Sequence, residues 1–327
     1  MNFPVNFFRN TMGISNNNIK KKSRYGVSII VTSYNTKVLL KNCIDSVIKN
    51  TRGIDYEIII VDNDSTDGTR DYLSTLQKNK RVKVVLNKKN LGFGRGNNIG
   101  IEKSVYDYLL FLNSDTVLIT NVIAAMVEWM RTDKKIGCAS CSLKNADGTT
   151  QGTGGYFPNL IRVFSWMVIQ DFPLVDKLIK PFHPMKSGSP FKNDNFYATK
   201  KELDWVTGAF MLMRRGAVLD TGFFDSDYFM YTEEVDYLYR MKKYGWRVLY
   251  NPKWSIIHLG GKSGVSGSNI TLEFKGVEFF FKKHYPAWQY PLLRIILKVG
   301  CLGRMILFGI LKGRVGFITY AKAYTIV

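Results

Sequence analysis

Acidic residues are scarce in this chain of 327 residues: 26 Asp and Glu stand against 46 Lys and Arg, a formal net charge of +20. Two stretches have none at all. Residues 1–24 carry Arg9, Lys20, Lys21, Lys22 and Arg24 without an acid. Residues 279–327 carry Lys282, Lys283, Arg294, Lys298, Arg304, Lys312, Arg314 and Lys322, again without an acid. Such a balance suits nucleic acid, a membrane surface or an anionic substrate. Nucleic acid fits least, because the basic residues concentrate on an apolar C-terminal stretch and no nucleic-acid-binding motif is present. Cysteine is rare too, 4 in all. Cys138 and Cys141 have no second pair or nearby His to complete a zinc site, so they read as small apolar residues of a strand. The residues before Tyr25 are polar and Asn-rich, without the apolar run of a secretory signal, and the expectation is a cytoplasmic protein. Aromatics, by contrast, are plentiful: 18 Tyr, 21 Phe and 6 Trp exclude global disorder and can fill a sizeable core.

Along the chain, apolar runs alternate with helical stripes. Val27–Val31, Glu57–Val61, Val82–Leu86 and Tyr108–Leu112 read as strands, the last of them buried on both faces. Between them, residues 37–49, a helix containing Tyr72, Leu73 and Leu76, and another over Ile99–Lys103 complete βαβ units. The fold expected is α/β with a mainly parallel sheet flanked by helices. From about Cys138 the pattern loosens. Residues 145–160 are turn-rich, and residues 181–200, with three prolines, read as a loop. Order returns at Trp205–Met213, and a helix is expected from Glu233 to Tyr244, with Thr232 as N-cap and Gly245 as its stop. Residues 291–311 are mostly apolar, but Arg294, Lys298 and Arg304 interrupt them. On a helical wheel Arg294, Lys298 and Lys312 share one face, which describes an amphipathic helix lying in a membrane interface. Packing on its own domain or on a second subunit is the competing reading, and a spanning segment the third.

The chemistry should sit where strands end in polar residues. In a parallel sheet ligands bind beyond the carboxyl ends of the strands. Three such segments carry acids or amides: Asp62–Asp67, Arg95–Asn98, and Asn113–Asp115. Asp115 is placed to hold a divalent cation, and Asp62 and Asp64 to accept hydrogen bonds from a ribose or a pyrimidine N–H. Asn63–Gly68 is equally good turn and helix-cap chemistry. Gly92, Gly94 and Gly96 are too far along the chain for a dinucleotide fingerprint, and instead let backbone and Arg95 approach a phosphate or base. Glu233, Glu234 and Asp236 crowd the first turn of a helix, where the helix dipole favours ionised acids and one could act as a general base. His258 closes the Ile256-Ile257 run and is a candidate second metal ligand.

Taken in order, these segments resemble a family 2 glycosyltransferase of the GT-A (Rossmann-like) fold, in its rhamnosyltransferase-like branch, over roughly residues 26–265. Val27–Asn35 resembles the opening strand, and Val61-Asp62-Asn63-Asp64-Ser65 the nucleotide-binding loop. Leu91–Gly100 resembles a donor-side segment with an Arg and paired Asn. Leu112-Asn113-Ser114-Asp115 resembles the Asp-x-Asp motif in Asn-x-Asp form. Asp147-Gly148-Thr149 with Gln151 resembles the branch's linker, Trp205–Phe210 the acceptor-side motif, and Tyr231–Asp236 the catalytic Glu-Asp-x-Asp. The resemblance implies an inverting transfer of a sugar, first of all rhamnose, from a nucleoside diphosphate sugar to a lipid-linked or polymeric cell-surface glycan. It implies Mn²⁺ or Mg²⁺ on Asp115 and His258, with Glu234, or its neighbour Glu233, as base. Ser33, Tyr34, Asp62, Asn63, Asp64, Arg95, Asn98, Asn113 and Ser114 would face the donor, and Trp205 and Asp236 the acceptor. The implied layout is a basic arm (1–24), a GT-A domain (25–285) and basic amphipathic C-terminal helices (286–327). Those helices would hold the enzyme on the anionic inner face of the plasma membrane, or pair it as a homodimer. Asn113 replaces the first Asp of the metal motif, and Glu234 stands where many members have Asp. Retention of Asp115, Glu234 and His258 argues against an inactive scaffold.

Overall fold

The computed structural model describes residues 24–169, 178–182, 194–260 and 269–327. Residues 1–23 of the basic arm and most of the 181–200 loop therefore lie outside the described residues. The first half of the chain forms β1 (Arg24–Ser33), β2 (Tyr56–Asp62), β3 (Val82–Leu86), β4 (Tyr106–Leu112) and β5 (Thr116–Val117). The second half forms β6 (Ile136–Lys144), β7 (Thr150–Gln151), β8 (Gly154–Gly155), β9 (Lys201–Glu202), β10 (Trp205–Val206), β11 (Phe210–Arg214) and β12 (Arg247–His258). Ten of these build one sheet whose main path runs β3-β2-β1-β4-β11-β6-β12-β5.

β3, β2, β1 and β4 are parallel, with β3 a partly exposed edge strand and the other three largely buried. The chain leaves β1 for β2 and β3 on one side and returns to place β4 on the other. That reversal opens a crevice beyond the carboxyl ends of β1 and β4. Alternate residues of each strand feed two cores. Ile30, Ile59, Val61, Leu109 and Phe111 pack on one face, and Ile29, Val31, Ile58, Ile60 and Leu110 on the other. β11 is inserted antiparallel between β4 and β6, so the sheet is mixed at its centre while remaining mostly parallel.

Two expectations need correction. The glycine-rich segment read as a loop is helical from Gly92 to Lys103. Its glycines let the helix lie almost on the sheet: a Cβ at Gly100 would stand 2.3 Å from Ile30 Cγ2, and one at Gly96 2.7 Å from Thr32 Cγ2. Close packing outweighs the poor helix propensity of glycine. Thr232 does occupy the N-cap position of the Glu233–Lys243 helix, but its side chain makes no capping bond. Tyr231 and Thr232 are both left-handed, with φ of 68° and 71°. This turn aims the Thr232 hydroxyl at Gly276, whose missing Cβ would meet it at 2.5 Å.

The C-terminal segment folds back on the domain. After a helix at Asn269–His284, the run Gln289–Ile326 is broken at Gly313, whose φ of 61° and ψ of −151° reverse the chain. The two arms form a hairpin, with Phe308 and Tyr320 stacked 5.4 Å apart and Arg294 Nε donating to the Val327 carbonyl at 2.8 Å. Leu293, Leu297 and Cys301 are buried against the domain. Arg304 turns inward as well, donating to the Met167 and Trp166 carbonyls and to the Tyr320 hydroxyl. Arg304 is thus half-buried and tied to the domain, while Arg294 keeps its bond to the Val327 carbonyl but stays exposed. No helix among the described residues is long and apolar enough to cross a membrane.

Candidate active site

Sheet pairing brings the polar strand ends together. β1 and β2 end in register at Ser33 and Asp62, and β4 ends beside Phe210 of β11. The short antiparallel pairing of β5 with β12 sets His258 opposite Thr116, and therefore beside Asp115. Asn113 is held by its backbone N–H to the Ala209 carbonyl. Gly208, next to it, lies against the Phe93 ring at the start of the glycine helix. On that helix, a Cβ at Gly94 would stand 3.8 Å from Glu233 Cβ, and one at Gly96 3.5 Å from Asn63 Nδ2. One close-packed helix therefore ties the Asp62 loop to the acidic helix.

On the β2 side, Asp62 is fully buried and accepts from Arg70 Nε at 3.0 Å and Ser65 N at 3.1 Å through Oδ2. Its Oδ1 has no hydrogen-bond partner among the described residues. Arg70 also reaches Asp64 Oδ1 and the Asn87 carbonyl, and so clamps the whole loop. Asp64 itself is left-handed, with φ of 70°. Asn63 is spent on structure: its amide donates to the Gly92 carbonyl and accepts from Asn87 Nδ2. Ser33 and Ser114 are buried and joined through the Thr36 hydroxyl, forming a floor rather than a lining. Tyr34 stands exposed at the rim. Arg95 is exposed and donates to the Ser226 carbonyl, whereas Asn98 is buried and exchanges two hydrogen bonds with the Phe224 backbone.

At the centre, Asp115 Oδ1 lies 3.3 Å from His258 Nε2, and Asn113 Nδ2 lies 3.5 Å from the same nitrogen. Gln151 fixes this histidine. Its Nε2 donates to the His258 and Asn145 carbonyl oxygens, so its Oε1 must be the acceptor that meets His258 Nδ1 at 2.7 Å. Nδ1 therefore carries the proton, and in the neutral ring Nε2 aims its lone pair at the Asp115 carboxylate. Two acceptors facing one another across 3.3 Å form a donor pair for a hard cation. The described residues contain no group of three or more His, Cys, Asp or Glu suited to a metal.

On the far side, the first helical turn carries Glu233, Glu234 and Asp236. Glu233 is buried, and its Oε2 lacks a hydrogen-bond partner among the described residues. Burial, and then the neighbouring Glu234 charge, push its carboxyl well above the usual range. Glu234 is half-buried, with its Oε2 shielded from solvent. Asp236 points away into a closed ionic network, accepting from Arg240 Nε at 2.8 Å, Lys283 Nζ at 2.7 Å and His284 Nε2 at 2.7 Å. Burial opposes its ionisation, but Arg240, the His284 bond and Lys283 outweigh burial and hold the carboxyl well below the usual range. Trp205 is likewise buried, its indole donating to the Phe182 carbonyl. Asp236 and Trp205, which the resemblance set toward the acceptor, are thus both buried and bonded within the fold. Arg70, Arg240 and His284 escaped the sequence reading, because their partners lie 8, 4 and 48 residues away with no motif to join them.

Comparison with known proteins agrees with this geometry. The profile of glycosyl transferase family 2 matches residues 28–219. An N-acetylglucosaminyl-diphospho-decaprenol L-rhamnosyltransferase of Mycobacterium tuberculosis is 25% identical over 256 residues, covering 74% of this chain and 79% of that protein. A poly-beta-1,6-N-acetyl-D-glucosamine synthase of Staphylococcus aureus is 22% identical over 69% of this chain and 48% of its own length. Among solved structures, GalNAc-T7 with UDP, GalNAc and Mn²⁺ superposes with a TM-score of 0.54 at 17% identity, covering 79% of this chain and 51% of that one. The mannosyltransferase PcManGT of Pyrobaculum calidifontis, with GDP-Man and Mn²⁺, gives 0.53 at 14% identity, covering 94% and 78%. With its reversal beyond β1 and β4, its Asn-x-Asp at the end of β4 and its acidic helix across the crevice, the chain belongs to glycosyl transferase family 2 and is a glycosyltransferase of GT-A fold.

Proposed function

We propose that this enzyme catalyses an inverting, metal-assisted transfer of a sugar, rhamnose first of all, from a nucleoside diphosphate donor to a hydroxyl of a lipid-linked or polymeric glycan. The observation that carries the reading is the division of labour across the crevice: a cation-suited Asp115–His258 pair on one wall, a half-buried carboxylate at Glu234 on the other. A Mn²⁺ or Mg²⁺ ion held by Asp115 and His258 would offset the charge of the donor diphosphate. Asp62 Oδ1, buried and without a partner among the described residues, offers an acceptor to a donor's N–H or ribose O–H. Glu234 takes the proton of the acceptor hydroxyl as its oxygen attacks the anomeric carbon from the face opposite the leaving diphosphate. Glu233, whose carboxyl burial and the neighbouring Glu234 charge push well above the usual range, can in its neutral form donate a hydrogen bond inside the site without adding a second negative charge. The rhamnosyl donor and a lipid diphosphate acceptor are supported by the name of the mycobacterial relative, and a divalent cation by the Mn²⁺ named with both solved neighbours. The reading puts the enzyme on the cytoplasmic leaflet of the plasma membrane, where lipid-linked acceptors are presented.

Thermal-shift titration with dTDP, UDP and GDP, each with and without Mn²⁺, tests the donor site. One nucleotide should raise the midpoint by several degrees only with Mn²⁺, and Asp115→Ala should erase the effect. Glu234→Gln should keep that shift while losing about 10²–10⁴-fold in turnover. A variant retaining more than about a tenth of the rate would move the base elsewhere.

A further inference from the structure

The C-terminal hairpin leaves an apolar face open. Leu292 (43% exposed), Ile295 (58%), Val299 (51%), Leu302 (48%), Ile306 (68%) and Ile310 (78%) stand out from its first arm. At 3.6 residues per turn these six, with Trp288 ahead of them, fall within an arc of about 80°. The opposite side of the same arm holds the buried Leu293, Leu297 and Cys301. No charged residue falls in the exposed arc, and Arg304 and Arg294 are drawn off it by carbonyl partners. Around the bend Leu311, Val315 and Phe317 are exposed as well.

From this arrangement we infer that the hairpin is a lipid-inserting wedge, its apolar face entering the interfacial layer of an anionic bilayer. The charge around the face selects that occupant. Residues 279–327 hold eight basic side chains and no acid; Lys283 is already paired with Asp225 and Asp236, Arg294 lies 3.7 Å from Glu278, and Arg304 is held by carbonyls, so the surplus rests on the others. Lys312 and Arg314 flank the bend in sequence, and Arg314 and Lys322 are exposed. Anionic headgroups would balance this surplus, with each basic residue near such a surface adding to attraction and each apolar side chain to insertion. A two-fold pairing of the same face would bring the surplus against its own copy with no counter-charge in the segment. Trp288, 61% exposed, sits at the start of the face, where an amphipathic ring suits the boundary of lipid and water. The inference does not depend on the glycosyl-transfer reading.

Flotation of the full chain with vesicles of phosphatidylcholine, with and without phosphatidylglycerol, tests it. The protein should float with the anionic vesicles and keep part of its binding in high salt, where a purely electrostatic contact would be lost. Replacing two fully solvent-facing residues, Ile306→Asp with Ile310→Asp, should cut flotation at least about tenfold without lowering the thermal midpoint. Flotation of the double variant equal to the parent would overturn the assignment. So would a stable dimer in vesicle-free buffer that the double variant dissociates, since a second copy would then cover the face. Because binding is read without donor or acceptor, its failure is separable from failure of the catalytic reading.

Discussion

Three carboxylates crowd one helical turn, and their surroundings give each a different state. Asp236 is ionised inside a cage of Arg240, Lys283 and His284. Asp236→Asn should leave buried cations without their counter-charge and destabilise the fold by about 3–5 kcal/mol, read as a drop in thermal midpoint. Glu233 lies at the other extreme. Its carboxyl titrates well above its ordinary 4.5 because burial disfavours the charged form. The folded state therefore holds more protons than the unfolded state above that value, and its stability contribution declines as pH rises. Glu233→Gln removes this dependence. Its gain in thermal midpoint over the parent should be larger at about pH 8 than at about pH 5, and an equal gain at both would mean the carboxyl titrates normally.

At the scale of the element, glycine has two meanings in this chain. In the Gly92–Lys103 helix it marks contact: a Cβ at Gly92 would stand 2.1 Å from the Phe229 carbonyl oxygen, and Gly92 is left-handed at φ 80°. Gly100→Val should wedge the helix off Ile30 and cost about 1–3 kcal/mol, with donor affinity falling as the Asp62 loop shifts. In the C-terminal hairpin, Gly303 has nothing within 4 Å of its would-be Cβ. Gly303→Ala should therefore stabilise the arm by about 0.5–1 kcal/mol, the propensity difference alone. Chemical denaturation of the two variants, moving in opposite directions, would separate packing from propensity. The same contrast explains why the glycine run reads as a loop from composition: the gain comes from the sheet beneath it.

For the whole molecule, the hairpin is part of the domain's core rather than an appendage. Met167 packs against Gly300, and Arg304 holds the Trp166 and Met167 carbonyls. Truncation after Trp288 should lower the thermal midpoint markedly by uncovering that core, which a differential scanning measurement would show; an unchanged midpoint would make the hairpin an independent unit. Membrane binding is therefore better tested by the exposed substitutions than by deletion. The mostly parallel sheet also gives the crevice its rigidity, since β1, β2 and β4 enter it as buried strands with no slack at their ends.

The strands, their parallel order and the placing of Asp62, Asn113, Asp115 and the acidic helix at strand or helix ends were legible in the sequence. Buried parallel strands are unbroken apolar runs, and the polar residue that stops each run is a local signal. Periodicity also carried the helices at 37–50 and 233–243. Tertiary structure alone decided how Asp236 is held, because its partners Lys283 and His284 come from a helix some 40 residues further on. It alone decided that Gln151 orients His258, through a contact spanning 107 residues. It also decided which way the C-terminal arm faces. A helical wheel locates charge around an axis but not the neighbour that claims it, and here the domain claims Arg304 while the apolar side is left to the outside.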